Sequence, residues 1–230
     1  MDIPDLYNNI YKKYKLKNSI LSLNLDKWWR KKLVLELKKL NPSPKTICDI
    51  GTGTGDLIEI LAKNFSNSKI KGIDANIKML EIALENIKLK NVEFIKSDLT
   101  NMPFNDCSFD CITISFATRN VYFSKNFEKI IKEINRVLKK DGIFIGVEII
   151  NHNNKFLNFF SKLYINIVIF LINLIDPSSK LAYNFLKNSI FNFDLEGFKK
   201  IMIKNFGNIT IKRIFPGNII IHISKKLFDN

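Results

Sequence analysis

Hydrophobic positions change their period along this chain. From residue 5 to residue 40 they recur at helical spacing: Leu16, Ile20 and Leu23, then Trp28, Leu33, Val34 and Leu37. This predicts a helical N-terminal segment ended by the breaker Asn41-Pro42-Ser43-Pro44. Short apolar runs follow, alternating with amphipathic stretches. Thr46–Ile50, Lys69–Asp74, Val92–Lys96, Phe109–Phe116 and Ile143–Ile149 read as buried strands. Asp56–Asn64, Ile77–Leu89 and Phe127–Leu138 read as the helices between them, with a turn at Asp141-Gly142. Repeated strand–helix units imply a parallel sheet with right-handed crossovers. Residues 156–175 are strongly apolar and read as a helix, and Asp194–Phe206 as another. Asn208–Ile214 and Asn218–Ser224 form an antiparallel hairpin around Phe215-Pro216-Gly217. The expected fold is a doubly wound, Rossmann-like α/β domain over 1–230. Its mostly parallel seven-stranded sheet ends in the hairpin, with a helical cover at 1–42 and a lid insertion at 151–193.

Between the first strand and its helix lies Asp49-Ile50-Gly51-Thr52-Gly53-Thr54-Gly55-Asp56. Glycines there permit a tight turn and close approach of a ligand to the backbone. About 20 residues on, Asp74 closes the second strand, where an acid can accept hydrogen bonds from both ribose hydroxyls. A dinucleotide site wants a third glycine where this chain has Asp56, and an acid there repels a pyrophosphate at the helix N-terminus. A cationic, phosphate-free nucleoside suits the loop better, and S-adenosylmethionine has that chemistry. Asp49 could attract its ammonium directly or through water. Asp98, ending the third strand, could accept from an adenine amino group with the Leu99 amide beside it; the alternative is a solvated turn acid. Ser115 ends the fourth strand beside the expected cofactor, or fills space there.

Composition adds limits. The 230 residues carry 46% hydrophobic side chains, enough for a full core, and a net charge of +14. The lysines are dispersed and arginine is scarce, which argues against specific nucleic-acid recognition and leaves attraction to an anionic membrane surface open. Three cysteines, Cys48, Cys107 and Cys111, form no CxxC pair and no metal-ligand cluster, so a reduced, cytoplasmic protein without a metal is expected. The start of the chain lacks the layout of a signal peptide.

These residues match the general pattern of class I methyltransferases. More specifically, Phe109-Asp110-Cys111-Ile112-Thr113-Ile114-Ser115-Phe116 followed by Arg119-Asn120-Val121 resembles the ubiquinone/menaquinone biosynthesis C-methyltransferases. Arg136–Gly142 resembles that family's RVLKPGG turn. Tyr14–Ser22 through Trp28-Trp29-Arg30-Lys31 resembles its YDxMNxxLS…WR helix, and Tyr183–Ile190 its YxYLxESI segment. The closing strand with His222 also resembles the family's. Three positions depart from the pattern: residues 156–178, Phe193 where the family has proline, and Asn188 where it has glutamate. All lie where substrate contact is expected.

The resemblance implies methyl transfer from S-adenosylmethionine to a ring carbon of a prenylated benzoquinol or naphthoquinol. It carries cofactor contacts to Thr54, Asp74, Asp98, Leu99 and Ser115, alongside Asp49, Gly51, Gly53 and Gly55 of the loop. Other acceptors (a small molecule, a lipid or RNA) and a non-catalytic scaffold are the competing readings. Arg119 is the leading catalytic candidate, stabilising a phenolate or orienting a proton-accepting water, with a structural ion pair as its alternative. Tyr183 and Asp26 are candidates for orienting substrate. His152 is a further candidate base, and His222 reads as structural or pocket-lining. Phe156–Ile175 has three readings: a membrane span, a core helix, or a lid that receives a polyprenyl tail and touches the inner face of the membrane.

Overall fold

The computed structural model of the chain describes residues 14–227. The portion of the expected cover that precedes residue 14 lies outside the described residues. Strands β1 (Thr46–Ile50), β2 (Lys69–Asp74), β3 (Val92–Lys96), β4 (Phe109–Ser115) and β5 (Leu138–Ile149) are joined by β6 (Thr210–Ile214) and β7 (Ile219–Lys225). Together they make one seven-stranded sheet in the order β3-β2-β1-β4-β5-β7-β6. The first five pair in parallel, with Ile50 opposite Ile73 and Asp74 opposite Lys96. β7 runs antiparallel to β5 and β6. The chain steps from β1 to β2 on one side and returns to β4 on the other. The carboxyl ends of β1 and β4 therefore flank the switch point, where a crevice opens in sheets of this kind.

Helices cover both faces. On one, α2 (Leu25–Leu40) and α3 (Asp56–Asn64) bury Leu33, Leu37, Leu57 and Leu61 against β1 and β5. On the other, α6 (Phe127–Val137) and α9 (Leu195–Phe206) bury Ile130, Ile134, Phe198 and Met202. Between α3 and β3 runs α4 (Ile77–Asn86), capped by Asn76, whose side chain accepts from the Lys78 and Met79 amides.

Four details differ from the sequence expectations. The N-terminal helix breaks after α1 (Tyr14–Ser22), because Leu23 and Asn24 both adopt left-handed backbone, with φ of 52° and 60°. The turn at Asp141-Gly142 lies inside β5 as a bulge. Phe109 pairs with Leu138 and Cys111 with Ile143, while Asp141 (φ 61°) donates its N–H to the Lys226 carbonyl. A short helix, α5 (Thr118–Tyr122), follows β4 directly. A further helix, α8 (Lys180–Asn192), forms where the sequence carried only motif letters.

The lid region is α7 (Lys155–Ile175) followed by α8. Asn154 caps α7 by accepting from the Phe156 and Leu157 amides. α7 buries a single stripe, Ile165, Ile169 and Ile172, against Ala182, Tyr183 and Ile190 of α8. Most of its other apolar side chains, among them Phe159, Phe170 and Leu174, stand exposed. The core-helix reading of Phe156–Ile175 therefore fails: a core helix does not leave most of its apolar surface in water. By length and composition α7 could cross a membrane, but it packs against α1 and α8.

Candidate active site

The loop after β1 is built on left-handed backbone. Gly51, Gly53 and Gly55 have φ of 59°, 56° and 80°, a region that side-chain-bearing residues rarely enter. Two carboxylates hold it. Asp49 lies fully beneath the loop and accepts from the Thr52 and Thr113 hydroxyls, each at 2.7 Å. Burial pushes its carboxyl up to about 7, against the pull of those two donors. Asp74, on the neighbouring strand, accepts from the Gly53 N–H at 2.8 Å with one oxygen and from the Asn76 N–H at 2.8 Å with the other. Burial raises its carboxyl too, and its backbone donors oppose the rise.

Above the loop lies a cleft open to solvent. Its floor is Gly51–Thr54. Its walls include Ser115 and Phe116 at the end of β4, Asp26 and Arg30 from α2, and Arg119 and Tyr183. Seven of the sequence candidates therefore meet in one cavity: Asp26, Gly51, Gly53, Thr54, Ser115, Arg119 and Tyr183. Phe116 holds φ at 57°, a strained conformation for a side-chain-bearing residue, and its ring lies under the Arg30 guanidinium at 5.0 Å.

The other candidates stand apart from the cleft wall. Asp49 is a brace one layer below, with both oxygens engaged by threonines. Asp74 acts on the loop through the Gly53 amide. Gly55 caps α3, and a Cβ there would meet Ile87 Cδ1 at 2.6 Å, so packing as well as backbone selects glycine. Asp98 is exposed at the tip after β3 and accepts from the Thr100 N–H at 2.8 Å, a turn-acid contact. Leu99 packs on the core. His152 lies outside the cleft, beside Gly217, and burial holds its pKa below the usual value. His222 is buried between Phe144 and Phe198 with Nε2 3.0 Å from the Thr118 hydroxyl; burial lowers its pKa to about 3, so the ring is neutral and structural.

Arg119 makes the ion pair that is its structural reading, and it does so at the cleft wall. It is 1% exposed and pairs with the fully buried Glu148, Nε to Oε1 at 2.8 Å, while its backbone N–H donates to Oε2 at 3.1 Å. Nη1 donates to the Ser189 hydroxyl at 2.6 Å and the Leu186 carbonyl at 3.4 Å. Nη2 has no hydrogen-bond partner among the described residues, and the side chain lines the cleft. Arg30 escaped the sequence reading as a site residue. It pairs with Asp26 at 2.5 Å, reaches Ser115 Oγ at 3.4 Å and lies 3.9 Å from Asp56. The signal was present: Asp26 and Arg30 are four apart on one helix face. Glu148 also escaped notice, although an acid inside the apolar run Ile143–Ile149 asks for a buried partner.

The ubiE/COQ5 methyltransferase family matches residues 2–226, nearly the whole chain. The chain belongs to that family. The activity that goes with membership is S-adenosylmethionine-dependent methyl transfer. Curated members include a demethylmenaquinone methyltransferase of Thermotoga maritima, 36% identical over 82% of this chain and 80% of the relative. Another of that name, from Staphylococcus saprophyticus, is 31% identical over 97% and 96%. The fold agrees. A solved chain from Methanococcus maripaludis superposes with TM-score 0.64 at 22% identity, covering 94% of this chain and 92% of its own. A SAM-dependent methyltransferase from Aquifex aeolicus gives 0.57 at 19%, over 83% and 87%.

The residues present fit the family's methyl donor. A Cβ built on Gly53 meets nothing within 4 Å, so the loop faces open space where a ligand can lie against backbone. The carboxylates of Asp26 and Asp56 face that space with Arg30 between them, a balance that favours a cationic ligand over a phosphate.

Proposed function

We propose that the protein methylates a ring carbon of a prenylated naphthoquinol of the demethylmenaquinol type. The curated relatives' names support the naphthoquinol over the benzoquinol acceptor, 2-polyprenyl-6-methoxy-benzoquinol. When bound, S-adenosylmethionine supplies an electrophilic methyl carbon on a sulfonium. The chain's own residues do the rest. The Gly51–Thr54 backbone seats the donor, the Asp74 carboxylate takes the ribose hydroxyls, Asp98 with the Leu99 amide takes the adenine, and Ser115 lines the methionine side. Asp49 keeps the loop's shape from below. Arg119 offers Nη2 to the quinol oxygen and stabilises the charge that develops there as the ring carbon becomes nucleophilic. Asp26 and Tyr183 orient the ring, so that methyl and carbon align for in-line transfer.

The observation that carries this reading is that one cleft joins the glycine loop to an arginine with an uncommitted N–H edge. The same proposal includes a single-domain organisation over 1–230, with cover 1–42 and lid 151–193. It also includes a cytoplasmic protein resting on the inner face of an anionic membrane through the exposed apolar face of α7. Lys155 and Lys180 flank that face and no acid lies between Lys155 and Ile175.

The test is turnover. Purified protein, S-adenosylmethionine and a short-chain demethylmenaquinol should give the ring-methylated product by mass spectrometry. Calorimetry should show donor binding that Asp74→Ala abolishes. Donor binding without quinol turnover would move the acceptor to another small molecule, a lipid or RNA; no donor binding would leave the scaffold reading.

A further inference from the structure

A second cavity adjoins the cleft. It shares Leu21, Ser22, Trp29 and Ile149 with the cleft and runs from there beneath α7. Its cavity volume is about 210 Å³, and no charged side chain lines it. Leu25, Ile165, Ile190 and Ile219 make most of its inner wall. Trp29 donates its indole N–H to the Phe215 carbonyl at 2.9 Å, so its polar edge is already satisfied. Tyr164 likewise turns its hydroxyl to the Ile20 and Leu21 carbonyls, at 3.4 and 3.3 Å. Leu23, Tyr164 and Pro216 also line the cavity. Leu23 and the adjoining Phe215 are exposed, as is Tyr164. The lining is thus mostly apolar from the shared wall outward, interrupted by Ser22, Ser161 and Asn218, whose Oδ1 is buried without a hydrogen-bond partner among the described residues.

We propose that this cavity holds the isoprenoid tail of the acceptor, and that the tail enters between Leu23, Tyr164 and Pro216. The inference rests on the quinol reading above and deepens it. A ring held near Arg119 must send its tail away from the glycine loop. The shared wall of Leu21, Trp29 and Ile149 opens a charge-free route for it. Each methylene drawn from water into such a slot strengthens binding about fourfold. Tail contacts therefore supply much of the affinity, and the ring contacts are left for orientation and charge.

Ser161→Trp fills the slot from α7 without touching the cleft, because Ser161 lines the second cavity alone. Leu23→Asn makes that entrance polar and suits its left-handed backbone better than leucine does. The wild-type protein should bind radiolabelled farnesol in equilibrium dialysis, and Ser161→Trp should abolish that binding. With a farnesylated demethylnaphthoquinol, Ser161→Trp should raise KM at least tenfold, and Leu23→Asn less. With the tail-less ring, kcat/KM should be unchanged in both, and so should S-adenosylmethionine binding by calorimetry, which also reports that each variant is folded. Equal loss on both acceptors, or no loss on the tailed one, overturns the assignment. A dimer in sedimentation that Ser161→Trp breaks, together with no farnesol binding, also overturns it, because the entrance is then covered by a second copy of the chain. Farnesol binding lost in Ser161→Trp, but no turnover of either quinol by the wild type, keeps the slot and rejects the quinol reading.

Discussion

Replacing Glu148 with alanine strips the buried Arg119 guanidinium of its carboxylate. The pair is 1% and 0% exposed, so water cannot take over. Three donors lose their acceptor: Arg119 Nε, the Arg119 amide and the Ile149 amide. Removing one partner of a buried pair leaves an uncompensated charge, at a cost of about 3–5 kcal/mol. Typical domains hold roughly 5–15 kcal/mol in total, so Glu148→Ala should lower the midpoint of urea unfolding substantially. Glu148→Gln is the finer probe. Its amide oxygen can keep Arg119 Nε and the Ile149 amide. Its NH₂ then faces the Arg119 N–H, donor against donor, costing about 1–3 kcal/mol. Urea unfolding of wild type and both variants gives the ordering. Turnover measured well below the transition should fall more than donor affinity if Arg119 has the role proposed for it at the acceptor. A loss under about 1 kcal/mol for Glu148→Ala would refute the reasoning: Arg119 would then be solvated or paired elsewhere, and its assigned role would go too.

Two further outcomes are expected. Gly53→Ala meets no steric obstacle in the protein, but its φ of 56° should cost about 1–2 kcal/mol, and its methyl projects into the space assigned to the donor. Calorimetry should therefore show a loss of S-adenosylmethionine affinity out of proportion to the small fall in melting temperature; equal donor affinity would place the ligand elsewhere. For Asp49, the folded pKa of about 7 lies above the unfolded value near 3.8. The folded state then holds the extra proton, so this group's stabilisation is complete below about pH 4 and is lost as pH rises to about 7. The loss amounts to up to about 4 kcal/mol. Asp49→Asn should flatten that part of the stability–pH profile, and parallel profiles for the two proteins would show that Asp49 is not the group responsible.

The sheet was legible because its signals are local. Buried parallel strands are short apolar runs, and β1, β2 and β3 fall where those runs fall. The glycine loop carries its own backbone demand at Gly51, Gly53 and Gly55. Asp74 could be placed because a strand end fixes where its side chain emerges. What remained hidden depends on long-range pairing. Lys17 meets Asp176 at 2.6 Å across 159 residues, and Arg119 meets Glu148 and Ser189, which no periodicity announces. The break between α1 and α2 hid because Leu23 is an unusual residue for left-handed backbone. The continuation of β5 through Asp141-Gly142 hid because turn letters also suit a bulge. Asp49 shows a different limit. Its position in the motif was plain, but whether it faces ligand or threonine depends on Thr113, a residue of another strand.

Polar ties between the lid and the sheet run through a residue of the cleft itself, Arg119. Most of the buried apolar surface lies in the two clusters on the sheet faces, whereas the lid gathers around six buried side chains of α7 and α8. A satellite of that size opens at lower free energy than the sheet does. Polar ties bind it to the trunk at few points. Arg119 is fixed to β5 by Nε and its amide, and to α8 by Nη1; within the trunk, Arg30 joins α2 to the tip of β4 through Ser115. Both arginines line the cleft. The Nη1 bonds to Ser189 and Leu186 therefore tie the position of α8 to the orientation of the Arg119 guanidinium. A substitution at Ser189, outside the cleft wall, should thus disturb ring orientation through Arg119 while the glycine loop, braced from β2 and from below by Asp74 and Asp49, keeps its grip on the donor.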